Sequence, residues 1–200
     1  ADYRKGQGLR TAVVDVQDIY DEFNYGIVDA EAIRSFLKYA YDNWEAPQLT
    51  YVVLFGDGSY DPKGYLTSGA PTSYVPPYLA DVDPWVRETA ADNRYVCMDG
   101  EFDQLADAFL GRLSVSTTEE AEALVTKLIA YETQPTPSDW RSRTLFIADD
   151  ADSAGNFVEY SNRVADHYVP SSYSAEKIYH KVGITVTHST TSTTQAAILA

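Results

Sequence analysis

The densest group of reactive side chains is Asp149-Asp150-Ala151-Asp152, which directly follows the apolar run Arg143–Ala148. Hard cations such as Ca²⁺ and Mg²⁺ prefer oxygen ligands, so these three carboxylates are candidate metal ligands. Acids ahead of a helix are also favoured by its dipole, and the spacing does not follow an EF-hand loop. A second acidic loop, Gly56-Asp57-Gly58-Ser59-Tyr60-Asp61, follows the apolar run Tyr51–Phe55. Ligands of open parallel sheets bind beyond the carboxyl ends of the strands, where this loop would lie. Asp57 and Asp61 either ligate a cation or orient a substrate amine there, or they organise the turn through backbone hydrogen bonds. No Lys-Ser/Thr pair follows the glycines, and two carboxylates repel phosphate, so this is not a phosphate loop.

Nucleophilic chemistry has one thiol and three imidazoles to draw on: Cys97, His167, His180 and His188. A single cysteine excludes an intramolecular disulfide and a multi-cysteine zinc site. Cys97 lies between Val96 and Met98 in a predicted short strand near Tyr95–Met98, and it reads as a buried structural thiol. None of the histidines sits in a motif, and no Gly-x-Ser-x-Gly elbow is present. No catalytic set is assigned within the chain.

The 200 residues carry a net charge of −15. That charge repels nucleic acid and anionic lipid, and it suits cations or extracellular solubility. No apolar run approaches the about 20 residues of a membrane helix. The first residues, ADYRKGQGLRTAVVDV, have no signal-peptide core and no initiating Met, so the chain is expected to begin inside a longer polypeptide.

The elements that must position these groups follow from periodicity. Leu9–Val16 is short and β-branched, and predicts a strand. Asp29 caps a predicted helix in which Ile33, Phe36, Leu37, Ala40, Tyr41 and Trp44 share one face. Tyr51–Gly56 is a continuous apolar run, predicting a parallel strand covered on both faces. Strand, helix and strand in this order predict a right-handed βαβ unit. Residues 57–105 read as long loops, and loops of that length are commonly functional.

Asp107–Val115 restores order before a second helix. Thr117 and Glu120 form a capping box there, and Ala121, Leu124, Val125, Leu128 and Ile129 form the predicted buried stripe. Thr133–Asp139 is a proline-containing break. After it come a strand ending at Asp150, a helix with Phe157, Tyr160, Ser161, Val164, Ala165 and Tyr168 on its face, and a strand at Glu176–His180. The final TTSTTQAAILA begins another helix. The pattern is α/β with parallel strands, expected as a fragment of a larger fold.

Several segments in order resemble the gingipain-type cysteine peptidases, a family that includes sortase-like enzymes of type IX secretion. They are YDEFNYGIVDAEAIRSFLKYAYDNW, YVVLFGDGSYDPKGY, VPPYL, ADNRYVCMDG, LGRLSVSTTEEAEALVTKLIAYE and WRSRTLFIADD, spread over most of residues 17–155. The resemblance implies two α/β subdomains, a first one over 1–138 and the truncated start of a caspase-like one over 139–200. It implies a Cys/His dyad beyond Ala200, because the family's Gly-His-Gly segment and its catalytic Cys find no counterpart here. Cys97 and the three histidines therefore inherit no role, and the fragment itself is expected to be inactive. It further implies a secreted or cell-surface parent, a protein or peptide substrate, possible Ca²⁺ binding, and the rest of the catalytic region as a partner in cis. Two other classes stay open: a non-enzymatic extracellular Ca²⁺-binding scaffold or interaction module, and an Mg²⁺-dependent receiver or phosphotransferase domain using Asp149 and Asp150.

Overall fold

The computed structural model describes residues 1–66, 68–69, 72–100, 103–134 and 138–179. It divides into two compact units, Ala1–Gln134 and Pro135–Ala200.

Three helices open the first unit: α1 (Asp2–Gly6), α2 (Val16–Asn24) and α3 (Ala30–Asn43). Capping carboxylates fix the last two starts. Asp15 accepts the Gln17 amide at 2.9 Å, and Asp29 accepts that of Glu31 at 3.0 Å. The predicted strand at Leu9–Val16 does not form. Asp15 draws Val16 into α2, no strand among the described residues pairs with this run, and Val13 and Val14 stand exposed. The predicted strand–helix–strand unit of residues 9–56 therefore loses its first strand.

The predicted face of α3 does pack, with Ala32, Ile33, Leu37 and Ala40 buried. Phe36 and Tyr41 pack against the same core from its edge. Strand β1 (Tyr51–Phe55) follows and alternates, with Val52 and Leu54 inward and Tyr51, Val53 and Phe55 exposed. The expectation of cover on both faces thus fails among the described residues.

Residues 57–105 are more ordered than their composition suggests. Strands β2 (Leu79–Asp83) and β3 (Arg87–Ala90) form an antiparallel hairpin with a register shift at Asp81/Asp83. A 3-10 turn, Asp92–Val96, replaces the predicted strand near Tyr95–Met98. It drives Tyr95, Val96, Cys97 and Met98 into the centre of the core, all at most 1% exposed. The Tyr95 hydroxyl donates to the Pro76 carbonyl at 2.7 Å, so its burial leaves no orphan.

Strand β4 (Phe109–Leu113) pairs parallel with β1 from Tyr51↔Phe109 to Phe55↔Leu113. The capping box of the next helix, α4 (Thr118–Thr133), forms as predicted: Thr117 Oγ1 accepts the Glu120 amide at 3.1 Å, and Glu120 reaches back to the Ser116 amide at 2.7 Å. Its apolar stripe is not buried, however, and Val125 and Leu128 remain exposed.

The second unit contains a parallel pair joined through a helix. Strand β5 (Arg143–Ala148) leads to α5 (Phe157–His167) and then to β6 (Ser174–Tyr179), in register from Arg143↔Ser174 to Ala148↔Tyr179. Lys177 ties α5 to β6 through Asp166 at 2.6 Å and Asn162 at 2.9 Å. Ala165 is the buried residue of α5, whereas Tyr160, Val164 and Tyr168 of the predicted face are exposed. Helices mixed with parallel strand pairs make this an α/β fold. Among the described residues no helix is long and apolar enough to cross a membrane. The predicted last helix, His180 and His188 lie outside the described residues.

Candidate functional site

The loop after β1 is stitched into the first unit by backbone bonds. Gly56 donates to Leu113 at 3.0 Å and Asp57 to Val115 at 2.9 Å, while the Asp57 carbonyl accepts both Tyr74 and Val75. This close approach explains the glycines. A Cβ on Gly56 would stand 2.8 Å from the Tyr74 Cβ, and one on Gly58 would stand 2.7 Å from the Val75 carbonyl. Arg112 of β4 pins the arrangement. Its guanidinium pairs with Asp92 at 2.6 Å and donates to the carbonyls of Gly56, Val75 and Pro76 at 3.0, 2.7 and 3.1 Å.

The Asp57 carboxylate accepts the Gly58 amide at 3.0 Å and lies 3.5 Å from the Ser116 hydroxyl. Asp61 accepts the amides of Tyr65 and Leu66 at 2.9 and 2.7 Å. Both acids hold turns together.

The acids of the second unit behave more locally. Asp149 accepts the amide of Asp150 at 2.9 Å, and Asp152 accepts that of Ala154 at 2.7 Å. These bonds reach only one and two residues along the chain. Among the described residues, Asp149, Asp150 and Asp152 do not belong to an acidic group gathered at one site.

Convergence occurs elsewhere. Among the described residues, the carboxylates of Asp99, Asp103 and Asp107 gather with one oxygen of each within 4.8 Å of the others. The segment carrying them leaves the buried Tyr95–Met98 and is held from several sides. Arg34 of α3 donates to the Cys97 carbonyl at 3.1 and 2.6 Å and to that of Gly100 at 2.9 Å. Arg94 donates to the Asp103 carbonyl at 2.7 Å. Asp107 accepts the Met98 amide at 2.7 Å, and Asp103 accepts those of Asp99 and Leu105 at 3.2 and 3.0 Å.

Backbone bonds from Leu105 and Asp99 hold the Asp103 carboxyl below its ordinary value, against the opposing pull of desolvation. Carboxylate oxygens gathered in this way are donors of the kind that suits Ca²⁺. An open depression of about 640 Å³ lies alongside, with Arg34 and Asp99 on its wall.

Cys97 is shut in beside this trio. Its thiol donates to the Asn93 carbonyl at 3.2 Å, and burial first, then the Asp103 charge, push its pKa up. That is the reverse of the environment that activates a nucleophile, and the expectation that Cys97 is buried holds. His167 lies in the last turn of α5.

The model of peptidase family C25 matches residues 1–199. The chain belongs to peptidase family C25. Gingipain R2 of Porphyromonas gingivalis is 28% identical over 171 residues, which is 82% of this chain and 20% of that protein. Gingipain R1 of the same organism matches at the same identity and share of this chain, over 14% of its own length. Among solved structures, the dimeric latent PorU of P. gingivalis superposes with a TM-score of 0.55 and 28% identity. That match covers 69% of this chain and 14% of PorU. The chain thus spans a fifth or less of each of these relatives.

In this C25 chain the residues that sequence reasoning overlooked are the acid trio and Arg112. Asp99, Asp103 and Asp107 recur at every fourth position in a loop, a spacing that announces nothing until a turn folds it. Arg112 lies within LGRLSV, where one charge inside a strand was the available signal.

Proposed function

We propose that this chain forms part of the catalytic region of a secreted or cell-surface cysteine peptidase of the gingipain type. In that reading the first unit is a scaffold, and the second begins the caspase-like subdomain. The Cys/His dyad that hydrolyses a peptide bond, or transfers its acyl group, lies beyond Ala200. The observation that carries this reading is the state of the one thiol. In a family of cysteine peptidases, the Cys97 thiol is buried, hydrogen-bonded to a carbonyl and raised in pKa, and so is unsuited to attack a peptide carbonyl. A nucleophile and its base must then come from elsewhere in the polypeptide. Protein or peptide is the substrate class.

Ca²⁺ is the proposed ion, with Asp99, Asp103 and Asp107 as its best-placed ligands and Asp57, Asp61, Asp149, Asp150 and Asp152 as the alternatives. The chemistry such an ion supplies is structural, drawing the loop 99–107 together by neutralising its charge. The acid trio also favours the second reading, in which a family member without the dyad serves as a Ca²⁺-binding extracellular scaffold. Sequencing the gene beyond the codon for Ala200 separates the two. A Gly-His-Gly segment followed by a Cys is expected for the peptidase. Absence of both residues would leave the scaffold.

A further inference from the structure

The β2–β3 hairpin presents its most apolar residues to solvent. Trp85 is 86% exposed and Val86 72% exposed, both at the tip. An indole and a valine thus stand side by side in solvent on one turn.

The tip is held rigidly. The Asp83 carboxylate accepts the amides of both Trp85 and Val86, at 2.8 and 2.7 Å. Arg87 closes the turn in the left-handed region at φ 73° and pairs with Asp81 at 2.7 Å. The backbone that carries the indole is therefore fixed, so the turn itself need not be ordered on binding. Tyr60 extends the surface, donating its hydroxyl to Glu88 of β3 at 3.4 Å.

Charge selects the kind of partner. The hairpin carries Asp81, Asp83 and Glu88 with Arg87, Asp83 bonding the Trp85 amide and Asp81 standing opposite Glu88, on a chain of net charge −15. Anionic partners are repelled, and a second copy of this chain carries the same charge. Guanidinium groups stack on indole faces and pair with carboxylates, and this tip offers both at once. The hairpin is a two-stranded sheet among the described residues, so main-chain groups at its margin can meet an extended backbone.

We propose that this hairpin tip is a docking surface for an extended, arginine-bearing segment of a protein partner. Trp85 is the anchor, and Asp83 and Glu88 supply the charge. The surface operates whether or not the parent polypeptide carries an active dyad.

The test is fluorescence polarisation of a labelled peptide of alternating arginine and valine, titrated with the 200-residue chain. An alternating glutamate–valine peptide serves as the control. Saturable binding of the arginine peptide is expected, weakened by added salt, with none for the control. Trp85→Ala should lower affinity about tenfold or more, as loss of an aromatic hot spot does, with the circular dichroism melt unchanged. Glu88→Gln should weaken binding and reduce its salt dependence.

Undiminished binding by Trp85→Ala, equal binding of the acidic peptide, or no binding would overturn the proposal. So would self-association of the chain that Trp85→Ala abolishes, because the occupant would then be a second copy. Loss of binding in the longer polypeptide would assign the surface to that polypeptide itself, and would likewise overturn it.

Discussion

Two acid-rich segments of this chain look alike as strings and differ as structures. Asp149, Asp150 and Asp152 lie within four residues, yet among the described residues their carboxylates do not gather as a group of three. Asp99, Asp103 and Asp107 are spread over nine residues, yet their carboxylates converge. The difference lies in what holds each segment. Cys97 and Gly100 are held by Arg34, and Asp103 by Arg94, next to the buried 3-10 turn. In the 149–152 segment, Asp149 accepts the Asp150 amide and Asp152 that of Ala154. Nearness in sequence does not by itself bring carboxylates together; the surrounding frame does.

That contrast is open to attack by substitution. The largest effect is expected from removing the clamp. Arg34→Met leaves the Cys97 and Gly100 carbonyls without their charged donor and should cost the first unit about 2–3 kcal/mol in denaturant unfolding. Asp150→Ala, the matching change in the other segment, should stay within about 0.5 kcal/mol. Comparable losses from the two would erase the distinction.

Next comes the cation itself. Added Ca²⁺ should raise the melting temperature of the chain, and Asp103→Asn should remove most of that rise. The triple change Asp149→Asn, Asp150→Asn and Asp152→Asn should leave it intact. Calorimetric titration with Ca²⁺ reads the same difference directly, and the opposite pattern would move the ion to the second unit.

A smaller effect separates charge from hydrogen bonding within the trio. Asp107→Ala takes away the acceptor of the Met98 amide and should cost about 1 kcal/mol. Asp107→Asn keeps an acceptor oxygen and should recover most of that stability without recovering Ca²⁺ binding.

The smallest effect is on pH dependence. Asp103 and Asp83 both have carboxyls held below their ordinary value of 3.8, chiefly by backbone amides. A carboxyl with a depressed folded pKa contributes stability above its unfolded value, and loses it as pH falls through the folded one. The contribution should therefore be intact at neutral pH and fade below about pH 4. Asp103→Asn should flatten that part of an acid-unfolding profile, and an unchanged profile would count against the bonding seen here.

Much of the fold was legible from local rules. Asp29 and Thr117 cap helices as their sequences predict, and the runs ending at Phe55 and Ala148 became strands with acidic loops beyond them. Local rules failed where tertiary context decides. The β-branched run at Val13-Val14 has strand propensity but no partner to pair with, and Asp15 starts a helix immediately after it. Tyr95-Val96-Cys97-Met98 has an apolar run's composition, and a 3-10 turn buries it as well as a strand would.

The candidate site was the least legible part, because the chain beside its carboxylates is held by Arg34, sixty-three residues from Cys97. No window of sequence contains both. Arg112 teaches the same lesson, since it closes a loop fifty-six residues away at Gly56.

The central claim is that this C25 chain supplies framework and ligands while its own thiol performs no peptide chemistry. Incubating the purified 200-residue chain with a fluorogenic peptide library, beside its Cys97→Ala variant, tests it most directly. The two are predicted to give the same background rate, with and without Ca²⁺. Turnover by the parent chain that disappears in Cys97→Ala would contradict the account.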